Sequence, residues 1–105
     1  MSVSITNKPK SRSGVSRTAF ENTKNAVLGR KYDLSLVFVG KTISNKLNKR
    51  YRNKNKPTNI LSFSLSKNEG EIFMDLSKIK SEVKIFNRAF SNLIAYLFIH
   101  GLFHL

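Results

Sequence analysis

The sequence predicts a single α/β domain, a small mixed β-sheet of about four strands packed with helices around a buried central C-terminal helix. Three observations lead there. Strand-like and helix-like runs succeed one another along 105 residues, a length that suits one domain with a modest core. The run Tyr32–Gly40 is apolar on both faces at its end, as befits a central strand covered on both sides. The run Leu93–Phe103 is apolar almost all round, which in a helix points to burial at the centre of a fold.

In order, Ser2–Asn7 alternates Val3 and Ile5 with polar residues, a short strand pattern. From Gly14 to Leu28, Val15, Ala19, Phe20, Val27 and Leu28 share a loosely helical face that Gly29 can end. Tyr32–Gly40 sets Leu34, Leu36 and Phe38 on one face and Val37 and Val39 on the other. Ile43, Leu47 and Tyr51 then recur at i, i+4, i+8, predicting a short helix with a basic outer face. Pro57 breaks it by biasing Lys56 toward extended backbone. Asn59–Leu65 and Glu71–Leu76 read as strands joined by the turn-rich "SKNEG". The remainder reads as helix, a polar piece near Ser77–Phe86 and then Ala89–Leu105. That last helix spans about 25 Å. A bilayer core needs about 20 apolar residues, and this one carries Asn92 and two histidines, so a buried helix is preferred to a membrane span.

The charge is 19 Lys+Arg against 6 Asp+Glu, a formal +13. No acid lies between Asp33 and Glu69, whereas Lys41, Lys46, Lys49, Arg50, Arg52, Lys54, Lys56 and Lys67 do. A one-signed field on a small domain attracts phosphate backbones, so nucleic acid is the expected partner, ahead of an anionic membrane surface. The chain lacks cysteine, which excludes disulfides and thiolate metal sites and suits a reducing compartment. "VGKT" (Val39–Thr42) is no phosphate loop, because Ser35 stands where that motif requires glycine.

His100 and His104, the only histidines, lie one helical turn apart. Two neutral imidazoles so spaced can chelate one metal ion; they can equally be core histidines satisfied by hydrogen bonds. Spacing alone leaves both open. A zinc peptidase is disfavoured, since Gly101 replaces the glutamate base that such enzymes place after the first histidine.

"LNKRYRNKNKPTNILSFSL" (Leu47–Leu65), "GEI" (Gly70–Ile72) and "HGLFHL" (His100–Leu105) occur in this order and spacing. Together they resemble the YbeY family of bacterial rRNA-maturation endoribonucleases, over roughly Tyr32 to Leu105. In that family the stretch runs Asn-x-x-Tyr-Arg-x-Lys-Asp-x-Pro-Thr-Asp/Asn-Val-Leu-Ser-Phe, followed by Gly-Asp-Ile and His-Gly-x-x-His-x-x-Gly-x-Asp-His. Asn55 and Glu71 replace family aspartates, and Ser64 replaces a common proline. The family's third histidine lies six residues past the second, whereas the sequence stops one residue past His104. The expectation is a single YbeY-like domain over residues 1–105, truncated inside a three-histidine zinc motif.

The resemblance implies a zinc-dependent, single-strand-specific endoribonuclease acting in 16S rRNA 3′-end maturation and late small-subunit quality control. It implies one Zn2+ held by His100 and His104, with the third ligand absent from this sequence. Arg52 matches the family's functionally important arginine, a guanidinium suited to an RNA phosphate and to charge developing at phosphorus. Lys54 and Lys56 are expected to contact phosphates, whereas Pro57, Thr58, Asn59, Ser62 and Phe63 are expected to be structural. Gly101, costly within a helix, suggests close backbone packing or room beside the metal. The implied setting is cytoplasmic. The implied partners are single-stranded RNA, the 16S rRNA precursor, the small ribosomal subunit, an Era-type GTPase and a small-subunit ribosomal protein. The alternative is a non-catalytic RNA- or ribosome-binding protein with a degenerate metal site.

Overall fold

The computed structural model of the chain describes residues 3–7, 15–52, 59–83 and 89–105. In chain order the elements are β1 (Val3–Asn7), α1 (Arg17–Leu28), β2 (Asp33–Val39), α2 (Lys41–Arg52), β3 (Ile60–Ser66), β4 (Glu69–Asp75), α3 (Leu76–Ser81) and α4 (Phe90–Phe103). The four strands form one mixed sheet in the order β1-β2-β4-β3. β2 runs parallel to both β1 and β4, while β3 pairs antiparallel with β4.

β2 is central and apolar on both faces, as its sequence predicts. Register places Leu34, Leu36 and Phe38 beside Gly70, Ile72 and Met74. This face meets α1 and α4: Phe20 stacks edge-on against Phe98 at 4.8 Å between ring centroids, with Phe38 at 6.0 Å. The main core lies here. On the opposite face Val37, Val39 and Leu61 are buried, and Leu47 of α2 lies by Phe63 and Phe73.

Local chemistry sets the boundaries. Ser16 caps α1, its side-chain oxygen accepting from the Ala19 N–H at 3.1 Å. Gly29 ends that helix with φ +88°, a conformation that favours glycine. Lys24 is fully buried and donates to the Gly29 and Tyr32 carbonyls at 2.8 and 2.9 Å, fastening the end of α1 to the start of β2. Burial lowers its pKa, against the opposing pull of Asp33 and Glu21.

Three boundaries differ from the sequence-based expectation. The β3–β4 turn is only Lys67–Asn68, because Glu69 and Gly70 pair with β2 and belong to the strand. Leu76 opens α3 instead of closing β4, because Asp75 Oδ1 accepts from the Lys78 N–H at 3.1 Å and caps a helix there. α3 stops at Ser81, and residues 84–86, the end of the expected helix, lie outside the described residues.

α4 buries Leu93, Ile94, Leu97, Phe98, Gly101 and Leu102. Its other side stays open, with Tyr96, Ile99 and Phe103 at 47%, 40% and 73% exposure. All-round apolar character therefore does not bring all-round burial, since the described elements that contact the helix, β3, α1 and α3, leave these three side chains exposed. No helix among the described residues is long and apolar enough to cross a membrane.

Candidate metal and RNA site

The cleft begins with Gly101. A Cβ added there would lie 2.7 Å from Ile60 Cδ1 and 3.1 Å from Ser62 Oγ, so α4 rests directly on β3. Ser62 Oγ donates to the Gly101 carbonyl at 3.0 Å and fixes the contact. Of the two roles the sequence leaves open for this glycine, close packing is the one the structure displays. The expected structural role of Ser62 is likewise met, and Phe63 faces the opposite side of the sheet, 5.8 Å from the Phe73 ring.

Immediately before that contact and three residues after it, α4 carries His100 and His104. Both rings are exposed, so the core-histidine reading does not hold. Their Nε2 atoms approach to 3.2 Å, with ring centroids 4.7 Å apart. Two imidazoles bound to one tetrahedral zinc at the usual Zn–N distance would hold their nitrogens about 3.3 Å apart. The separation suits two donors to a single zinc ion, and equally one imidazole donating to the other. Among the described residues no group of three or more His, Cys, Asp or Glu could hold a metal.

Asn59, Ile60, Ser62 and Leu97 complete the lining of a cleft of about 390 Å³ around the two histidines and Gly101. Asn59 donates from Nδ2 to Glu82 Oε1 at 3.1 Å, and its carbonyl accepts from the Asp75 N–H at 3.0 Å. The place of Asn59 in the cleft was not anticipated, because a period of two counted back from Ser62 leads to Ile60 and passes Asn59 by. Glu82 had no signal, because it reaches the cleft only across 23 residues of sequence.

Arg52 is the last residue of α2; its side chain, together with Lys54, Lys56, Pro57 and Thr58, lies outside the described residues. Lys41, Lys46, Lys49 and Arg50 stand exposed on α2. Asp33, Glu69 and Glu71 gather around a separate cleft of about 470 Å³. Glu69 and Asp75 mark opposite ends of β4, so Glu69 sits about 20 Å and Glu71 about 13 Å along the strand from the Asn59 pairing. These three of the chain's six carboxylates line a different cleft from the histidines.

A family model described as Endoribonuclease YbeY matches residues 3–105. A curated endoribonuclease YbeY of Ehrlichia ruminantium is 40% identical over 77 residues, covering 69% of this chain and 49% of that protein. One of Malacoplasma penetrans is 32% identical over 92 residues, covering 81% and 58%. The chain thus spans about half the length of the curated relatives it matches. A solution structure of a Thermotoga maritima protein shares the fold, with a TM-score of 0.62 and 21% identity over 97% of this chain and 70% of that one.

Proposed function

The chain belongs to the YbeY endoribonuclease family, and from that premise we propose that it serves as a zinc-dependent endoribonuclease acting on single-stranded RNA. The observation that carries this reading is the convergence of His100 and His104 Nε2 at 3.2 Å in an open cleft. The proposed substrate is the 16S rRNA precursor, cut during 3′-end maturation and late small-subunit quality control in the cytoplasm. The proposed partners are the small ribosomal subunit, an Era-type GTPase and a small-subunit ribosomal protein.

His100 and His104 would hold the zinc, each through Nε2. When bound, the ion supplies Lewis-acid polarisation and lowers the pKa of water at an open coordination position. Ser62 keeps α4 seated on β3, so the histidines and Asn59 stay on one wall of the cleft. Arg52 is assigned to a phosphate oxygen, where a planar guanidinium donates two parallel hydrogen bonds. Lys54 and Lys56 are assigned to flanking phosphates as point charges.

A second reading, an RNA- or ribosome-binding protein that does not cleave, is favoured by one observation: among the described residues only two metal-ligating side chains meet. One experiment separates the two. The zinc-loaded chain, the chain extended past Leu105 to complete the family's His-x-x-Gly-x-Asp-His, and the extended chain carrying Arg52→Ala are assayed on a single-stranded rRNA fragment, with a chelator control. The expected result is little cleavage by the 105-residue chain, cleavage by the extended chain, and a loss of about 10²–10³-fold with Arg52→Ala. Calorimetry should show weaker zinc binding in the unextended chain, and weaker still in His104→Ala. No cleavage by the extended chain would leave the binding reading standing.

A further inference from the structure

Two of the four polar groups of Asn59 are committed. Its carbonyl accepts from Asp75, and its Nδ2 donates to Glu82. The orientation of the amide is settled by chemistry, because an ionised carboxylate only accepts and must face the NH₂ end. Of the two left, the backbone N–H and Oδ1, the side-chain Oδ1 is a neutral acceptor on a residue that lines the cleft together with both histidines. Single-stranded RNA and DNA share phosphates and bases with π-faces; the donor that only RNA adds is the ribose 2′-hydroxyl.

Resting on the RNA reading of this cleft, we infer that Asn59 Oδ1 accepts the 2′-hydroxyl of a nucleotide seated at the histidine pair, and that Glu82 is the positioning residue that turns it there. Glu82 stands on the backbone that ends α3, its N–H bonded to the Ile79 and Lys80 carbonyls. It is therefore anchored independently of the strand that carries Asn59. Without that anchor the amide could rotate and offer NH₂, for which a phosphate oxygen is as good a partner in DNA as in RNA. The pair thus supplies sugar discrimination, whereas the basic residues supply sugar-blind attraction.

The test uses the whole chain in chelator, so that nothing is cleaved, with a short fluorescein-labelled RNA and the DNA of the same sequence. RNA is expected to bind about three- to tenfold more tightly, the worth of one neutral hydrogen bond. Asn59→Ala and Glu82→Ala should bring the ratio to about one, and Glu82→Gln, whose Oε1 still accepts, should restore it. The salt slope should stay at its wild-type value in all three, marking folded proteins with phosphate contacts intact. A single 2′-deoxy scan of the RNA on the wild-type chain needs no variant, and one position should account for the whole loss. A flat scan, or an unchanged ratio in Asn59→Ala, overturns the inference and leaves RNA binding standing. Failure of both RNA and DNA to bind overturns the RNA reading and the inference with it.

Discussion

Tyr32 carries a hydroxyl buried against Gly70, with no hydrogen-bond partner among the described residues. A buried unsatisfied hydroxyl costs about 1–3 kcal/mol, so Tyr32→Phe is expected to stabilise the chain by about 1 kcal/mol at neutral pH. Burial, with Glu69 adding to it, raises the phenol pKa above its usual 10.0. The folded state therefore holds this proton more tightly than the unfolded chain. The associated stability is complete below 10.0 and is lost as pH rises through the higher folded value. Urea unfolding of both proteins at neutral and strongly alkaline pH checks this. Tyr32→Phe should gain at neutral pH and lose less on going alkaline, whereas destabilisation at neutral pH would show that the hydroxyl has a partner.

At the scale of elements, the seat of α4 on β3 decides the cleft. Gly101→Ala gains about 1 kcal/mol of helix propensity. It also sets a methyl against Ile60 and Ser62 at 2.7 and 3.1 Å, and overpacking of this kind costs about 1–3 kcal/mol. Ile60 can yield at its flexible end, but Ser62 is held by its bond to the Gly101 carbonyl. A net loss of about 1 kcal/mol is expected, together with weaker zinc binding as the histidines move relative to Asn59. Gly40→Ala is the control, since nothing lies within 4 Å of the added methyl. Thermal melts and zinc titrations of the two variants should diverge; equal behaviour would mean α4 does not rest on β3 as closely as described.

Over the whole molecule the net charge of +13 is segregated by folding. Asp33 and Glu69, which bound the acid-free interval, become neighbours through the β2–β4 pairing and join Glu71 at one cleft. Affinity for single-stranded RNA should fall with salt at a log–log slope of about −0.7 per phosphate contact. Replacing the exposed Lys46 and Lys49 by alanine is expected to flatten that slope by about 1.4 if both contact phosphate. Glu69→Gln with Glu71→Gln should leave it unchanged. Fluorescence titrations across a salt series read both, and a wild-type slope near zero would reject an electrostatic RNA site.

What the sequence determined by itself was local. Periodicity marked each strand and helix, Gly29 marked the end of α1, and i, i+4 spacing brought the two histidines to one helical face. The "YRNKNKPTNILSF" and "HGLFHL" motifs carried the family. These are properties of neighbouring residues, and they persist wherever the segment is placed. Tertiary structure alone decided that Tyr96, Ile99 and Phe103 of α4 stay exposed, and that His100 and His104 lie outside the core. It alone set Gly101 against β3 and joined Glu82 to the cleft through Asn59. Each of these depends on strand register and on how a helix docks, so groups distant in sequence meet only after the sheet has formed. Periodicity records which side chains share a face; it carries no information on what will cover that face.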